Sequence, residues 1–230
     1  MTFNNKILLL IFMFSLGCFS QNKDFIIHND SLIGYENLPY NNGLVYNNKF
    51  KTTSNNTSQF LENKYNTGTL QYNNQTYYDI LLKYDVFEDL LLLKSNAQLF
   101  LETRLITKQV DYFILKNLKF KKIETLLSDN SIISGYFEEI EVNTKSTLYI
   151  KHKKTVKVDS RSDKLSHIFY DYKIYYIYYD NKLKEISSKA DVINLFPTLK
   201  KEIKQFYKVN NNQKENDITL FYQNLFKTII

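Results

Sequence analysis

Residues 76–86 read TYYDILLKYDV, with Thr76, Tyr78, Ile80, Leu82, Tyr84 and Val86 at the even positions and Asp79, Lys83 and Asp85 among the odd ones. A period of two over that length predicts a strand with one buried and one wet face, as in an antiparallel sheet. A short apolar run, Leu90 to Leu93, follows, and Val110, Tyr112 and Ile114 alternate again. Tyr136, Ile140 and Val142 continue the pattern with Glu138, Glu139 and Glu141 between or beside them, and residues 147–158 and 168–179 complete the set. No amphipathic helix separates these segments, so hairpins are expected rather than parallel crossovers. After Asp180-Asn181, a turn, the period lengthens. Ser188 with Asp191 resembles a capping box at the start of KADVINLF. Beyond Pro197, Leu199, Ile203, Phe206 and Tyr207 fall on one helical stripe, and Asn212 with Glu215 opens a third helix carrying Ile218, Phe221, Tyr222 and Leu225.

The pattern predicts an α+β fold, mostly antiparallel β: a curved sheet, or partial barrel or sandwich, closed by two or three C-terminal helices. Four regions are expected: a signal peptide over 1–20, a polar Asn-rich arm over 21–66, the β body over 67–182, and the helical tail over 183–230 packed on the same domain. The arm contains NNKFKTTSNNTSQF and reads as loop. Asn tolerates positive φ, so Asn47-Asn48 and Asn73-Asn74 are expected as tight hairpin turns.

At the N-terminus, Lys6 precedes an unbroken apolar run from Ile7 to Phe14, too short to span a bilayer core, which needs roughly 20 residues. A positive start, a short apolar middle and small residues form a secretory signal pattern. Two cuts compete. Signal peptidase could cut after Ser20, or SLGC could act as a lipobox with Cys18 acylated. A lipobox normally carries Leu three residues before its cysteine, where Ser15 stands, so the simple cut is the expectation and lipid attachment at Cys18 the alternative. The protein is thus expected to be exported, periplasmic or secreted, with an outer-membrane lipoprotein as the alternative. No later segment reads as a transmembrane helix.

The strand residues Tyr84-Asp85 in LLKYDVFEDLLLL and the tail SKADVINLFPTLKKEIKQFYKVNN carry a resemblance, notably at Ser188, Asp191, Phe196, Ile203, Phe206 and Asn210. The chain resembles uncharacterised exported β-rich proteins of Gram-negative bacteria with a C-terminal helical tail. That resemblance implies the fold order and the compartment, and assigns no catalytic residue.

Of the 30 basic residues, Arg104 and Arg161 are the arginines, and the formal net charge is +6. Arginine supplies the bidentate fork for phosphates and bases, so a lysine surface argues against dedicated nucleic-acid recognition. The lysines in KNLKFKK, KHKKTVK and KLKEISSK suit envelope lipid or polysaccharide, or simply a solvated sheet face. His28, His152 and His167 are isolated in sequence and read as surface histidines. No HExxH, CxxC, Walker, GxGxxG or GxSxG motif occurs, so no catalytic residue, metal ligand or cofactor is assigned. The acids Asp85, Glu88 and Asp89 span an expected turn, and Glu139 and Glu141 an expected wet face. The stretch IFYDYKIYYIYYD offers Tyr172, Tyr175, Tyr176 and Tyr178 as a stacking platform, against the plainer reading of a central strand packed on both faces.

The sequence therefore leads to a non-enzymatic exported envelope protein with a binding or structural role. The alternatives are a carrier or chaperone for an apolar, lipid-like ligand and a carbohydrate-binding module using the Tyr-rich strand.

Overall fold

A computed structural model of the chain describes residues 23–52, 56–94, 102–127, 131–159 and 165–230. The signal segment and Cys18 lie outside them. Asn73 and Asn74 sit at φ 52° and 61° and join β2 (Asn66–Tyr72) to β3 (Gln75–Asp85). Two consecutive positive-φ residues form the turn whose twist matches that of paired strands. The same device recurs at Lys116-Asn117, between β6 (Val110–Leu115) and β7 (Leu118–Leu126), and at Asp180-Asn181, between β10 (Ser166–Tyr179) and β11 (Lys182–Ile186). With β1 (Leu44–Tyr46), β4 (Leu90–Lys94), β5 (Glu102–Arg104), β8 (Ile132–Asn143) and β9 (Ser146–Asp159), these strands form one curved, open antiparallel sheet ordered 1-5-4-3-2-6-7-8-9-10-11. The expected α+β class and antiparallel pairing hold, although β1 pairs with β5 and β2 with β6 across longer connections rather than hairpins.

Three local expectations need correction. Asn47-Asn48 makes no hairpin, because β1 pairs with distant β5. The alternation in β3 breaks at Asp79, whose φ is 57°, where the β2 register shifts. The extra residue there puts Tyr77 rather than Tyr78 in phase with buried Ile80, Leu82 and Tyr84. The arm is not loop throughout. It forms helix α1 (Lys23–Ile33) and β1, and it buries Leu38, Tyr40, Tyr46 and Phe60. A chain rich in Asn still folds when a few large apolar side chains, each worth roughly 1.5–3 kcal/mol on burial, find a core.

Two principal cores result. The first lies inside the curl of β2–β4 and β6–β8, where Phe113 stacks on Phe120 at 4.9 Å and Tyr84 and Tyr136 close around them. The second lies between β8–β11 and the helical tail: α2 (Lys189–Leu195), α3 (Lys200–Val209), α4 (Asn211–Asn216) and α5 (Ile218–Ile229). The Ser188–Asp191 capping box forms reciprocally, with the Asp191 N–H donating to Ser188 Oγ at 3.3 Å and the Ser188 N–H donating to the Asp191 carboxylate at 2.7 Å. Ile203 and Tyr207 of the expected stripe are buried. The expected third helix is divided. Asp217 stands in extended conformation and accepts from the Leu220 N–H at 3.0 Å, capping α5 as a separate helix.

Candidate functional site

β8 pairs with β7 over residues 132–138 and with β9 over residues 138–143, so the sheet divides at Glu138. Gly135, at φ 112°, lets β8 take this course, since such a conformation is strained for any other residue. A Cβ there would collide with Asp89 and Lys151. Where the sheet divides, the two cores part and leave a cleft of about 860 Å³. Phe60, Val86 and Leu118 come to it from the first core, exposed Leu61 beside them, Tyr172 and Tyr175 from β10, and residues 216–219 from the α4–α5 junction.

His152 and Glu138 stand in the wall of this cleft. The imidazole Nε2 lies 2.6 Å from Glu138 Oε2, and both side chains are buried. Two aromatic rings fix the imidazole: Phe60, edge-on at 5.0 Å, and Phe120, tilted at 5.8 Å. The expectation of a surface histidine is therefore wrong for His152. Its position was readable from parity, because Leu148, Ile150 and His152 alternate in phase. The four surrounding lysines concealed this by making the segment read as uniformly solvated.

Behind the cleft, other charged groups are already engaged. Lys151 Nζ donates to Asp89 Oδ2 at 2.6 Å and to the Tyr136 carbonyl at 3.2 Å, and Tyr84 donates to Asp89 Oδ1 at 2.6 Å. Burial pulls the Lys151 pKa down, opposed by the Asp89 carboxylate, and burial pushes the Tyr84 phenol well up. Asp85, fully buried, accepts from Tyr46 at 2.7 Å, Ser58 at 2.6 Å, Gln59 at 3.2 Å and the Glu88 N–H at 2.9 Å. Asp85 and Asp89 are thus committed to protein donors, which gives them structural duties. Glu139, expected on a wet face, is half-buried, its carboxylate held between Lys119 and Tyr149. Burial alone would raise its pKa, but hydrogen bonds from Lys119 and Tyr149 outweigh that and hold it low.

The four candidate tyrosines do not share a face. Tyr175 is 5% exposed, packs on Tyr222 at 5.1 Å beneath α5, and shares a hydrogen bond with Thr219 at 2.9 Å. Tyr176 is buried on the opposite face against Phe137. Tyr172 and Tyr178 are exposed. Successive strand residues point to opposite faces, so four tyrosines spread over odd and even positions cannot form one platform. Tyr178 instead joins Tyr149, Asn181 and Leu183 in a groove of about 550 Å³.

Among the described residues no three His, Cys, Asp or Glu side chains gather as a metal site, and no helix is long and apolar enough to cross a membrane. No known protein family matches the chain, and neither the curated proteins nor the solved structures contain a significant match.

Proposed function

We propose that this chain is a non-enzymatic exported envelope protein that holds a small ligand in the cleft where its two cores part. One observation carries the reading: a cleft of about 860 Å³ with an apolar wall from one core and convergent polar groups from the other. That volume and that mixture are typical of small-molecule sites. Export is supported by the pattern of the first twenty residues. Binding rather than turnover is supported by the state of the polar groups. Glu138 engages His152, while Thr219, the aliphatic hydroxyl in the wall, is held by Tyr175 at 2.9 Å and Lys173 at 3.4 Å. Neither arrangement leaves an activated nucleophile beside its base. The apolar wall favours a carrier for a lipid-like ligand over a purely structural part.

Native mass spectrometry of protein isolated from the envelope tests this, together with titration of a fluorescent apolar probe. The expected result is a co-purifying small molecule and probe uptake that is lost in Leu118→Lys. An empty protein that takes up no probe, or brisk turnover of ester, phosphate or glycoside substrates, overturns it. A second reading has its own observation, the groove holding Tyr178. Glycan retention that falls in Tyr178→Ala would support a carbohydrate-binding role there, and unchanged retention would end it.

A further inference from the structure

Resting on the cleft as the binding site, we infer that its ligand is an uncharged amphiphile with a hydroxyl-bearing head, and that His152 determines this specificity. Glu138 occupies Nε2 at 2.6 Å, and the rings of Phe60 and Phe120 hold the imidazole plane. That leaves Nδ1 as the polar atom that His152 can offer a guest. Paired with a carboxylate, the imidazole presents Nδ1 as an acceptor when neutral and as a donor when protonated. A hydroxyl answers either state. A carboxylate answers only the second and an ammonium only the first.

Charge around the cleft points the same way. Lys153 and Lys173 stand in the lining together with Glu138, Asp171 and Asp217, so charges of both signs border the cleft. Asp171 is paired with Lys154 at 2.9 Å, Lys173 is turned to Thr219, and Asp217 caps α5. An anionic head would be desolvated beside the buried Glu138, and a cationic one beside Lys153 and Lys173, so a charged head meets a like charge in this lining whichever its sign.

A second observation places the apolar part of the ligand. Leu61 lines the cleft at φ 60°, a conformation that bulky side chains avoid, and the residue is 68% exposed. An aliphatic side chain held in a strained backbone and left open to solvent gains nothing for the fold. It becomes useful when an acyl or other apolar chain lies on it beside Val86 and Leu118.

The experiment is calorimetric titration of the mature protein with three probes of equal chain length: monolauroylglycerol, laurate and dodecylamine. Monolauroylglycerol is expected to bind about tenfold more tightly than either ion, the worth of one good hydrogen bond. In His152→Phe that preference should vanish while chain binding persists. Should His152→Phe not fold, Leu61→Asn is the second measure. Asn accepts positive φ, so this variant is expected to unfold at higher denaturant while binding all three probes severalfold more weakly. Equal affinities that ignore position 152, a preference for laurate or dodecylamine, or unchanged binding in Leu61→Asn would overturn the inference while leaving the cleft a binding site. If none of the three probes nor the fluorescent probe binds, the reading of the cleft itself fails.

Discussion

The two cores are made in different ways. The helical core joins β8–β11 to a tail whose stripes of Ile203, Tyr207, Phe221 and Leu225 announce their burial by spacing alone. The first core is closed by an arm of low hydrophobicity that packs because a few large apolar side chains reach the core and its polar groups find partners. Tyr46, Ser58 and Gln59 converge on Asp85. One half is held by area removed from water and the other by area plus a satisfied polar network.

The strongest test of this contrast is to hollow out each core. Phe120→Ala in the first and Phe221→Ala in the second, both fully buried, are each expected to cost about 3–5 kcal/mol in urea denaturation. Because β8 supplies Tyr136 to the first core and Val142 to the second, both variants should move one shared transition. Two separable transitions would mean the cores fold independently.

Asp85→Ala probes the polar half. It leaves three buried donors without their acceptor and should cost about 3 kcal/mol. A truncation of similar size on the helical side that lacks polar partners, such as Val192→Ala, should cost about 1–2 kcal/mol. Equal losses would show that the Asp85 network is not what closes the arm.

Gly135→Ala acts at the point where the sheet divides. Positive φ and the collision with Asp89 and Lys151 should cost about 2 kcal/mol. Probe binding in the cleft should weaken with it, read by titration at a temperature where the variant is fully folded.

The smallest effect is at the tail. Ser188→Ala should cost about 1 kcal/mol. Hydrogen bonds from Ser187 and Ser188 hold the Asp191 carboxyl below its ordinary value. A depressed carboxylate stabilises the fold above its unfolded pKa and loses that contribution as pH falls through its folded value. The gap between the native chain and Asp191→Asn should accordingly close in strong acid, as measured by thermal unfolding across pH.

Local order was legible where one residue's neighbours decide its state. Asn73-Asn74 turns because Asn accepts positive φ, and Ser188 caps because its hydroxyl reaches the Asp191 N–H three residues on. The site was less legible. The parity that turns His152 inward was in the sequence, but Glu138 and Phe60, which make it a recognition element, lie far away along the chain.

The period-two and helical patterns, the paired positive-φ turns and the capping box determined by themselves that this chain makes an antiparallel sheet with a helical tail, because each depends on contacts within a few residues. Only the tertiary structure decided which side of β3 is buried after Asp79, that the Asn-rich arm is folded, that Tyr175 packs beneath α5 while Tyr176 packs on Phe137, and that His152 meets Glu138 in a cleft. Those outcomes depend on which surfaces meet when the sheet curls, and burial between distant segments leaves no periodic mark on either one.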